Sequence, residues 1–189
     1  MSRSDGPGPT SLRDRILDAA SHTTSRRGWS AVTMAQLGLD AGVSRQSVYN
    51  EFGSKQQVAQ ALVAREAAQF LEAVDLEITA GKDPADAIGR AADRVFELSA
   101  DNPLLRATLS AAAGSPSPLL PLLTSQSQPL IDAAVERVRV GLRSHHTRLP
   151  AEPRLTAAVD AIVRIVLSHV VRPGRDPDLR FVAQRLLTA

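Results

Sequence analysis

The stretch Thr33–Lys55, TMAQLGLDAGVSRQSVYNEFGSK, announces three helix starts in quick succession. Thr33 with Gln36 three residues on forms a capping box and opens a helix that ends near Ala41, with Gly42 as the turn. Ser44 caps a second helix, Arg45 to Phe52, and Gly53 closes it. Ser54 with Gln57 is another capping box and opens a long helix from Lys55 to about Thr79. Short helix, tight turn, short helix is the supersecondary unit that enters a DNA groove. Gly38, inside the first of these helices, costs about 1 kcal/mol against Ala and admits close helix packing.

Working outward, the same helical grammar continues in both directions. Residues 1–10 hold two Pro and two Gly and read as a flexible arm. Ser11 to Arg27 places Leu12, Ile16, Ala20 and Thr23 on one helical face, with a Ser11–Asp14 cap at its start and Gly28 as its stop. Trp29, just past that stop, reads as a packing lid. Beyond the break Gly81–Pro84, helices are expected near 84–100, 103–113, 118–125, 127–147, 153–172 and 177–187, with Gly114–Pro118 the least ordered internal segment. Runs of β-branched residues alternating at period two are absent. The expected fold is all-α: an arm over 1–10, a helix-turn-helix domain over 11–56, and a larger helical domain over 57–189.

Composition narrows the function classes. The chain has 189 residues, no cysteine, and 22 basic against 20 acidic side chains. No disulfide framework, thiol chemistry or cysteine-ligated metal is possible. The start MSRSDGPGPT has no apolar region of a signal peptide, and no apolar run approaches the roughly 18 residues of a membrane span, so a cytoplasmic protein off the membrane is expected. HExxH, GxSxG and phosphate-loop motifs are missing. His22, His145, His146 and His169 show no ligand spacing; adjacent His145 and His146 project about 100° apart on a helix. Neither an enzyme nor a cofactor or metal protein is expected. Residues 1–60 hold seven basic and five acidic side chains, so the whole net charge of +2 lies there.

Two later helices carry an excess of apolar surface. In 153–172 the polar residues Thr156, Asp160, Arg164 and Ser168 share one stripe and most of the rest is apolar, more than the roughly 100° face of a surface helix. The helix at 127–147 offers Ile131, Val135, Val138 and Leu142 on one face, with Gly141 beside them permitting close approach. These four, with Ile162, Val166 and His169 on the following helix, are the expected interface of a homodimer, two helices from each copy forming a four-helix contact. The alternative is a helix buried centrally within a monomer.

The run Thr33–Lys55 resembles the helix-turn-helix of TetR-family transcriptional regulators. Thr33, Ala41-Gly42-Val43-Ser44, Tyr49, Phe52 and Lys55 fall at the family spacing, and the motif match covers about residues 12–60. The resemblance implies a three-helix reading domain, a connecting fourth helix, and a larger domain that dimerises and binds an effector. It also implies a double-stranded, palindromic DNA operator as partner. Arg45, Gln46 and Ser47 form the first turn of the reading helix; Arg can fork onto guanine and Gln onto adenine. Tyr49 and Asn50, one turn later, are within reach of phosphates, while Val48 and Phe52 read as core. Lys55 stands at a helix N-terminus that favours phosphate, and the hydroxyls of Thr33 and Ser44 cap first and contact backbone second.

Two departures from the family pattern bear on this surface. Gln46 stands where a small residue is frequent. Glu51 stands where a basic or aromatic one is common, and would repel phosphate unless it turns away or meets an arginine such as Arg26 or Arg27. The resemblance further implies a small, mostly apolar effector, with Phe70, Val74, Phe96, Leu105, Leu109, Leu122, Val163 and Leu167 as candidate lining. The reading is a sequence-specific regulator, in the commonest case a repressor released by its ligand. The alternative is a helical ligand-binding or adaptor protein whose helix-turn-helix no longer reads DNA.

Overall fold

The computed structural model describes residues 11–110, 117–175 and 177–187. The expected arm over 1–10 and most of the segment 114–118 lie outside these. Among the described residues the regular elements are all helical: α1 Leu12–Arg27, α2 Met34–Asp40, α3 Arg45–Phe52, α4 Lys55–Ala80, α5 Pro84–Asp101, α6 Pro103–Leu109, α7 Leu120–Leu123, α8 Gln128–His145, α9 Arg154–Val171 and α10 Leu179–Leu187. One 3₁₀ turn, Trp29–Ala31, joins α1 to α2.

The caps form where hydroxyls precede helices. Ser11 Oγ accepts from Asp14 N at 3.0 Å, Thr33 Oγ1 from Gln36 N at 3.1 Å, Ser44 Oγ from Ser47 N at 3.0 Å and Ser54 Oγ from Gln57 N at 3.2 Å. The reciprocal half of the Thr33 box is not made, because Gln36 turns its amide to Asp40 at 2.7 Å. Gly42 sits at φ 69°, the left-handed turn that lets α3 follow α2 within a few residues. Asp83 accepts from both Ala85 N and Asp86 N at 2.9 Å and starts α5 with Pro84 in its first turn.

Differences from the expected bounds have local causes. Of the helix expected over 103–113, Pro103–Leu109 is helical and Ser110 is in a turn, while 111–113 lie outside the described residues. The helix expected over 118–125 shrinks to Leu120–Leu123, because Thr124 N and Gln126 N both turn back onto Pro121 O. Ser127 points its hydroxyl at Thr124 O rather than into α8.

The chain packs as two compact units, Met1–Val63 with Pro103–Leu119, and Ala64–Asn102 with Leu120–Ala189. The first therefore runs past residue 56 and recruits α6, which lies against α1. Its core includes Ile16, Leu17 and Ala20 of α1, Leu37 of α2, Val48 and Phe52 of α3, Val58 and Leu62 of α4, and Leu104 of α6. The second unit pairs α8 with α9 and α5 with α10. Its core runs through Val74, Ile78, Ala87, Ile88, Leu142, Leu155, Val159, Ile162 and Leu179.

Candidate nucleic-acid interface

Helix α3 divides its side chains by the helical period. Val48 and Phe52, four apart, are buried against the first unit's core. Arg45, Gln46 and Asn50 are exposed, and Ser47 and Tyr49 are half-buried. The outward residues are tied in two parallel pairs. Arg45 Nη2 donates to Tyr49 Oη at 3.4 Å, with its guanidinium carbon 5.3 Å from the ring centre. Gln46 Nε2 donates to Asn50 Oδ1 at 2.9 Å. Ser44 and Ser47 share a hydroxyl contact of 2.9 Å beside the cap. The first turn of α3 thus presents an arginine and a glutamine, each steadied from one turn below.

Lys55 begins α4, but its ammonium is not simply held out to solvent. Nζ donates to the Trp29 carbonyl at 3.0 Å and lies 5.3 Å from the centre of that ring. Burial removes water from the ammonium and lowers its pKa below the usual lysine range. Trp29 itself is buried, as a packing lid should be. A lysine ammonium has three donors, so one engaged with Trp29 leaves others for an anion. Thr33 is exposed at the start of α2 and Ser44 at the start of α3.

Glu51 does not meet Arg26 or Arg27. Its carboxylate pairs with Arg13 at 3.3 Å, and the Arg13 guanidinium also covers the Phe52 ring at 4.6 Å. The acidic side chain on the reading helix is thereby turned toward α1 and given a counter-charge. This removes the feature that favoured a helix-turn-helix unable to approach phosphate. Sequence reasoning missed Arg13 because the pair spans 38 positions and no local signal connects them.

The second unit redistributes the residues expected at a dimer interface. Ile131, Val135, Val138, Leu142 and Ile162 are enclosed by their own chain and leave little surface for a second copy. The apolar stripe of α8 faces inward, and Gly141 beside it lies close to α4: a Cβ there would stand 3.2 Å from Ile78 Cγ2. Val166 and His169 are half-buried, and the His169 ring lies 4.5 Å from that of Phe96. The large apolar side chains these two helices leave exposed are Val140, at 47%, and Ile165, at 36%.

The expected effector lining is also divided. Leu105 and Leu109 fall on α6, in the first unit; Phe70, Val74, Phe96, Leu122, Val163 and Leu167 fall in the second. Val74 is closed into the core, Phe96, Val163 and Leu167 pack partly buried around it, and Phe70 and Leu122 are half-buried. His145 Nε2 lies 3.4 Å from Thr79 Oγ1, while His146 terminates α8. Among the described residues, no group of three or more His, Cys, Asp or Glu converges as a metal site, and no helix is long and apolar enough to cross a membrane.

Comparison with known proteins agrees with this geometry. Residues 16–62 match the family described as bacterial regulatory proteins, tetR family, and residues 83–188 match the bacterial tetracyclin repressor, C-terminal domain. The chain is 34% identical over 179 residues to the HTH-type transcriptional regulator AlkX of Mycobacterium tuberculosis, covering 94% of this chain and 83% of that protein. It is 32% identical over 74 residues to the HTH-type transcriptional repressor AcnR of Corynebacterium glutamicum, covering 39% of each. Among solved structures, the TetR family repressor AlkX from Dietzia sp. strain DQ12-45-1b, implicated in biodegradation of n-alkanes, superposes with a TM-score of 0.71 at 29% identity. The match covers 95% of this chain and 94% of that one.

Proposed function

We propose, from the premise that this chain belongs to the TetR family of bacterial transcriptional regulators, that it is a repressor released from its operator by a small, mostly apolar molecule. The chain is a non-enzymatic, DNA-binding transcription regulator. The observation that carries the reading is the exposed pair Arg45 and Gln46 at the N-terminal turn of α3, braced from below and backed by a buried Val48 and Phe52. A helix laid in the major groove reaches base edges with that turn. Arg45, Gln46 and Ser47 read bases; Thr33, Ser44, Tyr49 and Lys55 hold phosphates and fix register. Two copies place two such helices on half-sites of a palindromic operator in the cytoplasm.

The effector class rests on two supports. Phe96, Val163 and Leu167 pack partly buried against the second unit's core, and Phe70 of α4 is half-buried. The Dietzia repressor, similar over nearly the whole chain, is implicated in n-alkane biodegradation. An alkane-like or other weakly polar molecule fits both. Helix α4 has residues in both units. A ligand that favours one placement of α4 over another shifts the spacing of the two reading helices, and only unequal affinity for the two placements can do so.

A salt-dependent mobility-shift assay on the DNA upstream of the coding region tests the core of this. Wild type binds that DNA above random duplex. Arg45→Ala loses the preference by about 1–3 kcal/mol per half-site at unchanged thermal stability. Equal binding of wild type to both DNAs refutes specific reading. Addition of n-alkanes, fatty acids and aromatic compounds to the complex, with release as readout, tests the effector class. Light scattering on the eluted protein tests the dimer.

A further inference from the structure

Asn50 stands one turn below Gln46, where a phosphate contact is the ordinary expectation. In the structure its Oδ1 is taken up by Gln46 Nε2 at 2.9 Å, and both side chains are exposed. We propose that Asn50 is a specificity-positioning residue that fixes the amide of Gln46 for one base. This rests on α3 reading DNA, as argued above.

The chemistry runs through the amide. A glutamine amide carries one acceptor oxygen and two N–H donors on a planar group that can turn over. Free to turn, it offers either order of donor and acceptor to the groove. In this pairing Asn50 Oδ1 accepts, so Gln46 presents Nε2 to it, and the Gln46 amide can reverse only if the Asn50 amide reverses with it. That engages one N–H and leaves the other N–H beside Oε1, on an amide that no longer turns over by itself. Adenine shows an N7 acceptor and an N6 donor in the major groove and takes such a pair bidentately. Arg45 is steadied in the same manner by Tyr49, so each of the two base-reading side chains has its own brace at spacing four. The Gln46 brace differs in consequence. A guanidinium offers only donors whichever way it turns, whereas an amide reversed offers the wrong code.

The test selects an operator from a random duplex pool with the full-length wild-type protein. It then measures Kd on single base-pair variants of that operator. Gln46→Ala is expected to lose preference at one position in each half-site by about 5- to 150-fold. Asn50→Ala is expected to lose a large part of the preference at that same position and none at the position read by Arg45. Asn50→Asp keeps the acceptor and is expected to keep the preference, although its charge weakens binding to every sequence. Adding Asn50→Ala to Gln46→Ala is expected to change that position no further, since the residue acts through Gln46.

A phosphate role gives a different pattern. Asn50→Ala would weaken all sequences alike, with base preference intact, and that result overturns the proposal. Selection of no consensus by wild type would overturn the DNA-reading premise itself, a distinct failure seen before any variant is made. Circular dichroism of each variant identifies any loss of fold; Asn50→Asp, with the same shape, then carries the comparison.

Discussion

In the first unit α2 and α3 are 7 and 8 residues long, too short to stand alone, and each is started by a capping hydroxyl with a glycine turn between them. In the second, α8 and α9 run 18 residues each, without a side-chain cap bond at either N-terminus, and packed Val, Ile and Leu hold them. The first unit spends its sequence on local geometry, because three helix starts must occur at fixed places for α3 to project its outer face. The second spends it on apolar area, which fixes that helices pack but says little about which face meets which partner. Local signals can be read from a single chain. Apolar stripes are read only once their neighbours are known.

The comparison breaks first at Leu142. It is fully buried on the α8 stripe that sequence alone assigned to a second copy. As a core residue of its own chain, Leu142→Ala is expected to cost about 2–5 kcal/mol of stability, measured by urea unfolding. Operator affinity of the fraction that remains folded is expected to hold. A variant with wild-type stability but a dissociated dimer would return this stripe to the interface.

The matching test in the first unit is Gly38. A Cβ there would lie 2.9 Å from Val43 O and 3.2 Å from Arg45 N, backbone atoms of the turn that launches α3. The helix gains about 1 kcal/mol from Ala over Gly, while the clash costs about 1–3 kcal/mol. Gly38→Ala is therefore expected to lower the melting temperature and to weaken operator binding by more than the stability loss explains, since the start of α3 must shift. A stabilised variant with full DNA affinity would show that the turn yields freely.

Much of the first unit is legible for this reason. Thr33, Ser44 and Ser54 announce their helices through chemistry confined to three residues, and all three caps form. The Gln46–Asn50 and Arg45–Tyr49 pairs follow from helical spacing once α3 is placed. What could not be read was tertiary. Arg13 finds Glu51 only through the packing within the first unit, and α6 joins that unit from 40 residues beyond Val63, where its first segment ends. In the second unit the existence and order of the long helices were legible from period and proline. Their inward faces were not, because Ile131, Val135, Val138 and Leu142 make the same pattern whether a neighbour belongs to the same chain or to another.

A smaller effect tests whether the Arg13–Glu51 pair is electrostatic housekeeping for DNA. Both side chains are substantially exposed, so the pair is worth only about 0–1 kcal/mol to stability. Its weight should fall on binding. Arg13→Ala leaves Glu51 facing phosphate without a counter-charge and is expected to weaken operator binding by about 2- to 5-fold at low salt, the difference fading as salt rises. Glu51→Gln in the same background is expected to restore it. If the double variant binds as weakly as Arg13→Ala, Arg13 acts through its packing on Phe52 instead.

The smallest effect lies in the second unit and reads its polar fastening. Asp86, in the first turn of α5, accepts from Lys82 N at 3.1 Å and lies 3.6 Å from Arg180 of α10, whose stem crosses Gly89 so closely that a Cβ there would meet Arg180 Cγ at 2.0 Å. The backbone hydrogen bond from Lys82, with Arg180 and Arg90 adding to it, holds the Asp86 carboxyl below its ordinary range. A carboxylate with a lowered folded pKa binds fewer protons folded than unfolded, so its stabilisation is complete above the unfolded value and drains away as pH falls through the folded one. Asp86→Asn is therefore expected to unfold at lower urea than wild type near neutral pH, and the gap is expected to narrow as pH is taken toward about 2. The asparagine keeps a carbonyl acceptor for Lys82 N, so what titrates is the charge on that bond and on the Arg180 contact. A gap that stays constant with pH would mean that shape at the α5–α10 contact, not charge, fastens these helices, and the second unit would then rest on packing even at its polar edge.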